Sequence, residues 1–180
     1  MAFLEEHFGE WKPLPRGVGI AWLVAFGLFL VYAWSSGPAF LFIDWANLMI
    51  HEAGHPFFSW FGSYTLTILG GTLGELIVPL LCAAGFFWRR EIPGVAFSLF
   101  WFFENFLYIG VYMADARAEA LPLVGSGDHD WNILFEQWNL LTKDTAIGGT
   151  TRTLGWLGML AVCGWLAWHT VRPAPVDDVS

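Results

Sequence analysis

The chain has 180 residues, of which 56% are apolar and only 13% are charged. Soluble domains carry roughly a quarter charged residues, so this composition argues against an ordinary soluble domain and excludes intrinsic disorder. Sixteen acidic residues against 8 basic ones give a net charge of −8, which argues against a nucleic-acid partner because such a partner needs a basic face. The apolar residues fall in blocks, and this pattern predicts an all-α, polytopic membrane helix bundle in the lipid bilayer.

The helix bundle is predicted from five apolar blocks, each close to the roughly 20 residues that a membrane-spanning helix needs. In chain order they cover 17–34, 41–61, 65–88, 94–113 and 153–170. The first block has no charge, whereas the second carries several ionisable residues and the third is interrupted by glycines and by Pro79. We therefore expect four to six transmembrane or re-entrant helices. A polar segment (1–16), a single membrane domain (17–170) and a disordered tail (171–180) are the expected divisions.

The one long polar stretch is the connection 114–152, which carries six acidic and three basic residues. Its aromatic-rich run 131–141 predicts a short interfacial helix rather than a free loop. The two cysteines, Cys82 and Cys163, lie inside apolar blocks, so a disulfide framework and a CxxC metal site are both excluded.

The basic residues favour one orientation in the membrane. Those that flank the apolar blocks are Lys12, Arg16, Arg89, Arg90 and Arg172. The positive-inside rule places all of them in the cytoplasm only if the chain makes four net crossings, with the second block or part of the third entering and returning. Both termini are then cytoplasmic. The short chain without a cleavable signal or an Arg-rich transit start suggests a bacterial inner membrane, with the first apolar segment retained.

The second block contains the motif His51-Glu52-Ala53-Gly54-His55. On a helix, residues four apart lie one turn apart on the same face, so two imidazoles with this spacing can share one Zn²⁺. The intervening glutamate can then serve as the general base for water. A buried, hydrogen-bonded histidine pair is the alternative interpretation, but ionisable residues inside an apolar block are costly and are usually functional.

Helical spacing predicts a polar pocket around this motif. Asp44 and Asn47 share a face with the two histidines, and Glu104 shares a face of the fourth block with Asp115, with Asn105 beside it. Polar stripes of this kind face the interior of a bundle. Packed together, the two stripes would form a pocket with surplus carboxylates.

A zinc site needs a third protein ligand and an open position. The candidates are Asp115, Glu104, Glu75 and His129. Arg117 could orient the Asp115 carboxylate by a bidentate bond, and Asp130 could support His129 as a partner of its ring. Segment 127–131 is equally well interpreted as a polar turn before a helix, with Asp128 or Asp130 as the cap.

The motif, set in an apolar block of a small polytopic chain, resembles the integral-membrane zinc metalloproteases of the site-2-protease family. That resemblance implies that His51 and His55 bind zinc, that Glu52 activates a zinc-bound water, and that a later aspartate is the third ligand. Asp115 is the nearest match to that aspartate. It also implies a zinc-dependent peptidase that cleaves a peptide bond in the membrane segment of a protein substrate.

Two other classes of function remain open. Surplus carboxylates beside two histidines would suit iron or a second metal in a non-proteolytic metal-binding protein. The small size and many aromatic residues would also suit an accessory subunit of a larger membrane complex, with partner subunits in place of a substrate.

Overall fold

The structure is a computed structural model that describes residues 10–122 and 129–172. Within these residues the chain forms six α-helices and one 3₁₀ turn, without a strand, which confirms the predicted all-α helical bundle. The helices are α1 (Arg16–Ser36), α2 (Asp44–Ser59), α3 (Tyr64–Trp88), α4 (Ile92–Ala114), α5 (Asp130–Gln137) and α6 (Asp144–Val171), with the 3₁₀ turn at Leu141–Lys143. Of the tail predicted for 171–180, Val171 is the last residue of α6. Residues 173–180, the segment 1–9 and the alternative cap Asp128 lie outside the described residues.

Four helices of the described chain are long and apolar enough to cross a membrane: α1, α3, α4 and α6 with its preceding turn. Helix α2 is not among them. Its 16 residues extend about 24 Å, short of the roughly 30 Å hydrocarbon core. The ionisable second block is therefore the one apolar block that supplies no candidate span among the described helices, and the count of four net crossings stays a prediction.

Both ends of the described chain lie at the same end of the bundle, as an even number of crossings demands. The backbone N–H of Lys12 donates to the carbonyl of Arg90 at 3.0 Å, between α3 and α4. The Trp11 ring lies 5.9 Å from the ring of His169, near the end of α6. The prediction that this end faces the cytoplasm stays a prediction.

Small residues set how closely the helices pack. A Cβ on Gly54 of α2 would lie 2.1 Å from the carbonyl oxygen of Gly70 on α3, so these backbones touch. Gly110 and Gly148 bring α4 and α6 together in the same way. This packing explains why α6 begins at Asp144 rather than near 153: the stretch 145–153 is rich in glycine and threonine, but it is held against α4.

The predicted short helix of the connection is α5. The ring of His129 caps it, because Nδ1 accepts a hydrogen bond from the Asn132 backbone at 3.2 Å. Trp131, Leu134 and Phe135 of α5 are buried against α3 and α4, so the helix folds back over the bundle. This position brings the first residue of α5 to the polar face of α2.

Candidate metal centre

The polar face of α2 meets α5 at a cluster of three side chains. His51, His55 and Asp130 each offer one ligand atom, and these three atoms lie within 4.8 Å of one another. His51 Nε2 lies 2.9 Å and His55 Nε2 lies 3.4 Å from the same carboxylate oxygen, Oδ2 of Asp130. The two histidines thus face a common point, as the i, i+4 spacing predicts.

The orientation of His55 is fixed by a backbone carbonyl on α3. Its Nδ1 donates to the Thr67 oxygen at 2.9 Å, since a carbonyl can only accept. A hydrogen bond from one ring nitrogen assigns the other nitrogen to the metal, and this is the usual arrangement around ligating histidines. Nε2 of His55 is therefore the ring nitrogen that remains free to bind a metal.

His51 is held by close packing and by a buried acid. A Cβ on Gly71 would lie 2.4 Å from the His51 ring, so only glycine leaves room for it. Nδ1 of His51 has no hydrogen-bond partner in the described part of the chain and points at Glu75 Oε2, 3.5 Å away. Glu75 is 1% exposed, and neither of its carboxylate oxygens has another partner among the described residues. Glu75, one of the candidate third ligands, therefore lies behind His51, on the side away from Asp130.

Asp130 is the carboxylate that completes the cluster, in place of the supporting role expected for it. It is the first residue of α5, and its backbone N–H donates to the Tyr112 hydroxyl at 3.1 Å. Burial raises the pKa of the Asp130 carboxyl, but the hydrogen bonds from His51 and His55 outweigh burial and hold that pKa below its ordinary value. Asp130 is thus a carboxylate that can serve as a ligand.

Asp115 and His129, the other predicted ligands, do not join this cluster and instead face each other. His129 Nε2 lies 3.6 Å from Asp115 Oδ2, while its Nδ1 caps α5. Both Asp115 oxygens accept backbone N–H groups, from Ala120 and Leu121, in the turn after α4. Burial lowers the pKa of His129, and both of its ring nitrogens are already directed at other groups.

The remaining predicted pocket residues form a second polar cluster, at the start of α2. The Asn47 amide donates to Asp44 at 3.4 Å and to Glu104 at 3.1 Å, and its oxygen accepts from the Trp101 indole at 2.8 Å. Asn105 donates to the Glu75 backbone carbonyl at 2.8 Å. These contacts join α2, α3 and α4, and Glu104 is accordingly tied to Asn47 rather than to the histidines.

Arg117 does not orient Asp115. Its Nε donates to Asp144 Oδ2 at 2.8 Å, and its backbone N–H donates to the same oxygen at 3.3 Å. Asp144 begins α6, where a carboxylate is favourable beside the free N–H groups of the helix. The Arg117–Asp144 pair therefore links the turn after α4 to the start of α6.

Glu52 and the three clustered residues line one cavity of about 740 Å³. The rest of its wall is mostly apolar and aromatic, and includes Phe40, Trp45, Ile68, Tyr108, Val111 and Ile133. The wall contains no lysine or arginine among the described residues. Such a cavity suits an uncharged apolar molecule with one polar group at the histidines.

Three parts of this site were not predicted from the sequence. The hydrogen bond from His55 to the Thr67 carbonyl is the first, because a backbone acceptor cannot be recognised from a pattern of side chains. Tyr112 shares a face with Glu104, but nothing in the sequence links it to α5. The contact of Asp130 with the two histidines was the third, because Asp130 was predicted only beside His129 or as a helix cap and the docking of α5 brings it to α2.

No family model, no curated protein and no solved structure matches this chain. The resemblance to the site-2-protease family therefore stays a prediction, based on the motif in α2.

Proposed function

We propose that this protein is a membrane-embedded, zinc-dependent hydrolase, and specifically a peptidase. The observation that carries the proposal is the convergence of His51 Nε2, His55 Nε2 and an Asp130 oxygen on one point, beside Glu52 on the wall of the same cavity. Two imidazoles and one carboxylate are a donor set that catalytic zinc sites use, with the fourth position left open.

The donor set fits a metal because the supporting groups are also in place. Thr67 and Glu75 lie at the far nitrogens of the two rings, and the cluster faces the cavity rather than the lipid. A bound Zn²⁺ would supply Lewis-acid polarisation of a carbonyl and a lowered pKa for water. A divalent cation would also replace the protons that lie between the imidazoles and Asp130.

The chain itself supplies proton transfer, orientation and exclusion of bulk water. Glu52 takes the proton of the attacking water and returns it to the departing amine as the peptide bond breaks. His51 and His55 are held rigidly by α3, and Asp130 is held by α4 through Tyr112. The apolar wall binds the uncharged chain on either side of the scissile bond, which is why we assign an internal segment of a membrane protein as substrate.

The setting follows from the same features. We propose an inner bacterial membrane, with the basic end of the bundle in the cytoplasm and the metal cluster towards the opposite face, because positively charged ends are retained inside. The substrate or partner would then be another transmembrane protein.

Metal analysis tests the proposal first. Wild type purified without chelator should carry one zinc per chain, His55→Ala should carry none, and Glu52→Gln should retain the metal. Peptides of about 20 apolar residues with lysines at each end, in detergent micelles, then serve as substrates. Wild type should yield paired fragments by mass spectrometry and Glu52→Gln should not. A metal-free wild type, or equal cleavage by both proteins, would overturn the proposal.

A second candidate is a non-proteolytic iron protein, because two histidines and one carboxylate are also the ligand set of non-haem Fe(II) enzymes. The observation that favours it is the cluster itself, which contains no sulfur ligand. Iron rather than zinc in the purified protein, with no difference in peptide cleavage between wild type and Glu52→Gln, would select this candidate.

A further inference from the structure

Peptide-bond hydrolysis places negative charge on the former carbonyl oxygen, and a positioned donor stabilises that charge. The wall of the cavity contains no lysine or arginine among the described residues, so hydroxyl groups are the main candidates. The Thr67 hydroxyl already donates to the Ser63 carbonyl at 3.0 Å, and Tyr64 lies at the exposed rim, 65% accessible. Tyr108 and Tyr112 remain.

Tyr112 is the anchored member of this pair. Its hydroxyl accepts the Asp130 N–H at 3.1 Å, and its ring packs against His129 with 4.2 Å between centroids. The same ring lies 6.0 Å from that of His51. The hydroxyl of Tyr108 has no hydrogen bond to any described residue, so nothing fixes its direction.

The proton of the Tyr112 hydroxyl is also available for a further hydrogen bond. It accepts from Asp130, but its own proton reaches no acceptor among the described residues, although the side chain is only 8% exposed. A hydroxyl that accepts one hydrogen bond becomes a stronger donor for a second. A buried donor without an acceptor, on the cavity wall next to a carboxylate of the cluster, is costly unless a ligand completes it.

We propose that Tyr112 is a catalytic residue that donates a hydrogen bond to the oxyanion formed when water adds to the scissile carbonyl. The proposal rests on the proposed function. The proton stays on the tyrosine, since Glu52 alone carries the proton from water to the departing amine. Tyr112 therefore has two roles: its hydroxyl oxygen accepts a hydrogen bond from the Asp130 backbone, and its hydroxyl proton is donated to the oxyanion of the substrate.

The test uses binding, so it does not require a natural substrate. The probe is a phosphinic analogue of a Leu-Phe dipeptide, whose tetrahedral anionic group imitates the charged species. A hydroxamate with the same side chains is the comparison ligand, because it binds metal without a tetrahedral oxyanion. Affinities for both, and for zinc, are measured on full-length protein in micelles, for wild type and Tyr112→Phe.

Tyr32→Phe is the matched control variant. Its hydroxyl likewise accepts a backbone N–H, from Phe42 at 3.3 Å, but Tyr32 does not line the cavity. Because Tyr112→Phe also removes the anchor of Asp130, we expect it to weaken zinc and hydroxamate binding to a similar extent, and to lower phosphinate affinity by about a further 100-fold. Tyr32→Phe should leave all three unchanged. A 3-fluorotyrosine at position 112, which keeps the anchor and strengthens the donor, should tighten phosphinate binding.

Each other result has a definite meaning. Unchanged phosphinate affinity in Tyr112→Phe overturns the inference alone. An equal loss of zinc and phosphinate affinity also overturns it, because Tyr112 would then be a positioning residue for Asp130. Absence of zinc from wild type, or of zinc-dependent phosphinate binding to wild type, refutes the proposed function itself.

Discussion

Replacement of Gly71 by alanine tests the geometry around His51 most directly. A Cβ at this position would lie 2.4, 2.5 and 2.6 Å from three atoms of the imidazole. Ordinary contact begins at 3.4 Å, so the ring would have to move by about 1 Å, the difference between 3.4 and 2.4 Å. The ring is 5% exposed and lies between Glu75 and Asp130, so it has no free space for that movement.

A shift of about 1 Å in a positioned group can cost about 100-fold in function, and we expect a similar loss of zinc affinity from Gly71→Ala. The assay is competition with a chromogenic chelator on purified protein in micelles. Gly85→Ala in the same helix is the control, because nothing lies within 4 Å of the added methyl group. It should keep zinc affinity and gain about 0.5–1 kcal/mol of helix stability.

The reasoning would be refuted if Gly71→Ala bound zinc as tightly as Gly85→Ala while keeping the helical content of wild type. Gly54→Ala separates this local effect from helix separation, because its Cβ meets the Gly70 carbonyl rather than an imidazole. We expect it to lower the melting temperature as well as zinc affinity. Gly71→Ala should affect zinc affinity more than melting.

Three further outcomes follow from contacts outside the cluster. Glu75→Gln should weaken zinc binding about tenfold, because it removes the carboxyl group behind His51, and chelator competition measures this. Arg117→Ala should lower the melting temperature by leaving the buried Asp144 carboxylate short of a donor, with Arg117→Lys intermediate. The hydrogen bond from Lys12 holds the pKa of Glu91 below its ordinary 4.5, so the pair stabilises the fold above that pH and the gain is lost on acidification. Melting curves of Lys12→Ala should therefore show a flatter acid branch than wild type; equal branches would exclude a contribution from this pair.

The helices could be predicted because the apolar blocks and the helices coincide within a few residues for α1 to α4. Helix α6 could not, because its first nine residues owe their conformation to packing on α4, where Gly110 meets Gly148, and not to an apolar pattern. The expectation of an even number of crossings came from flanking basic residues such as Lys12 and Arg90, and the backbones of these two residues are hydrogen-bonded to each other. The number of crossings and the side on which these residues lie stay predictions.

Of the cluster of His51, His55 and Asp130, only the two histidines could be predicted to lie together. His51 and His55 are four residues apart, so helical geometry alone brings them together. The carboxylate that joins the two histidines depends on where a distant segment docks, and the sequence favoured Asp115 while Asp130 was expected only in a supporting role. In the structure the Asp115 carboxylate accepts backbone N–H groups in its own turn, whereas the Asp130 carboxylate accepts none from the described residues and faces the histidines.

The dependence on α5 explains why so much acidity lies in the connection between α4 and α6. Asp115 closes the turn after α4, Asp144 begins α6 with Arg117, and Asp130 begins α5 over the cavity. The Asn132 amide adds a 2.7 Å bond to the Ala116 carbonyl, which fixes α5 to the end of α4. These acids therefore position the connection rather than merely solvate it. In the function we propose, α2 carries only two of the three metal ligands, so a complete site would form only when α5 is docked, and substrate access and metal binding would then be linked through this short helix.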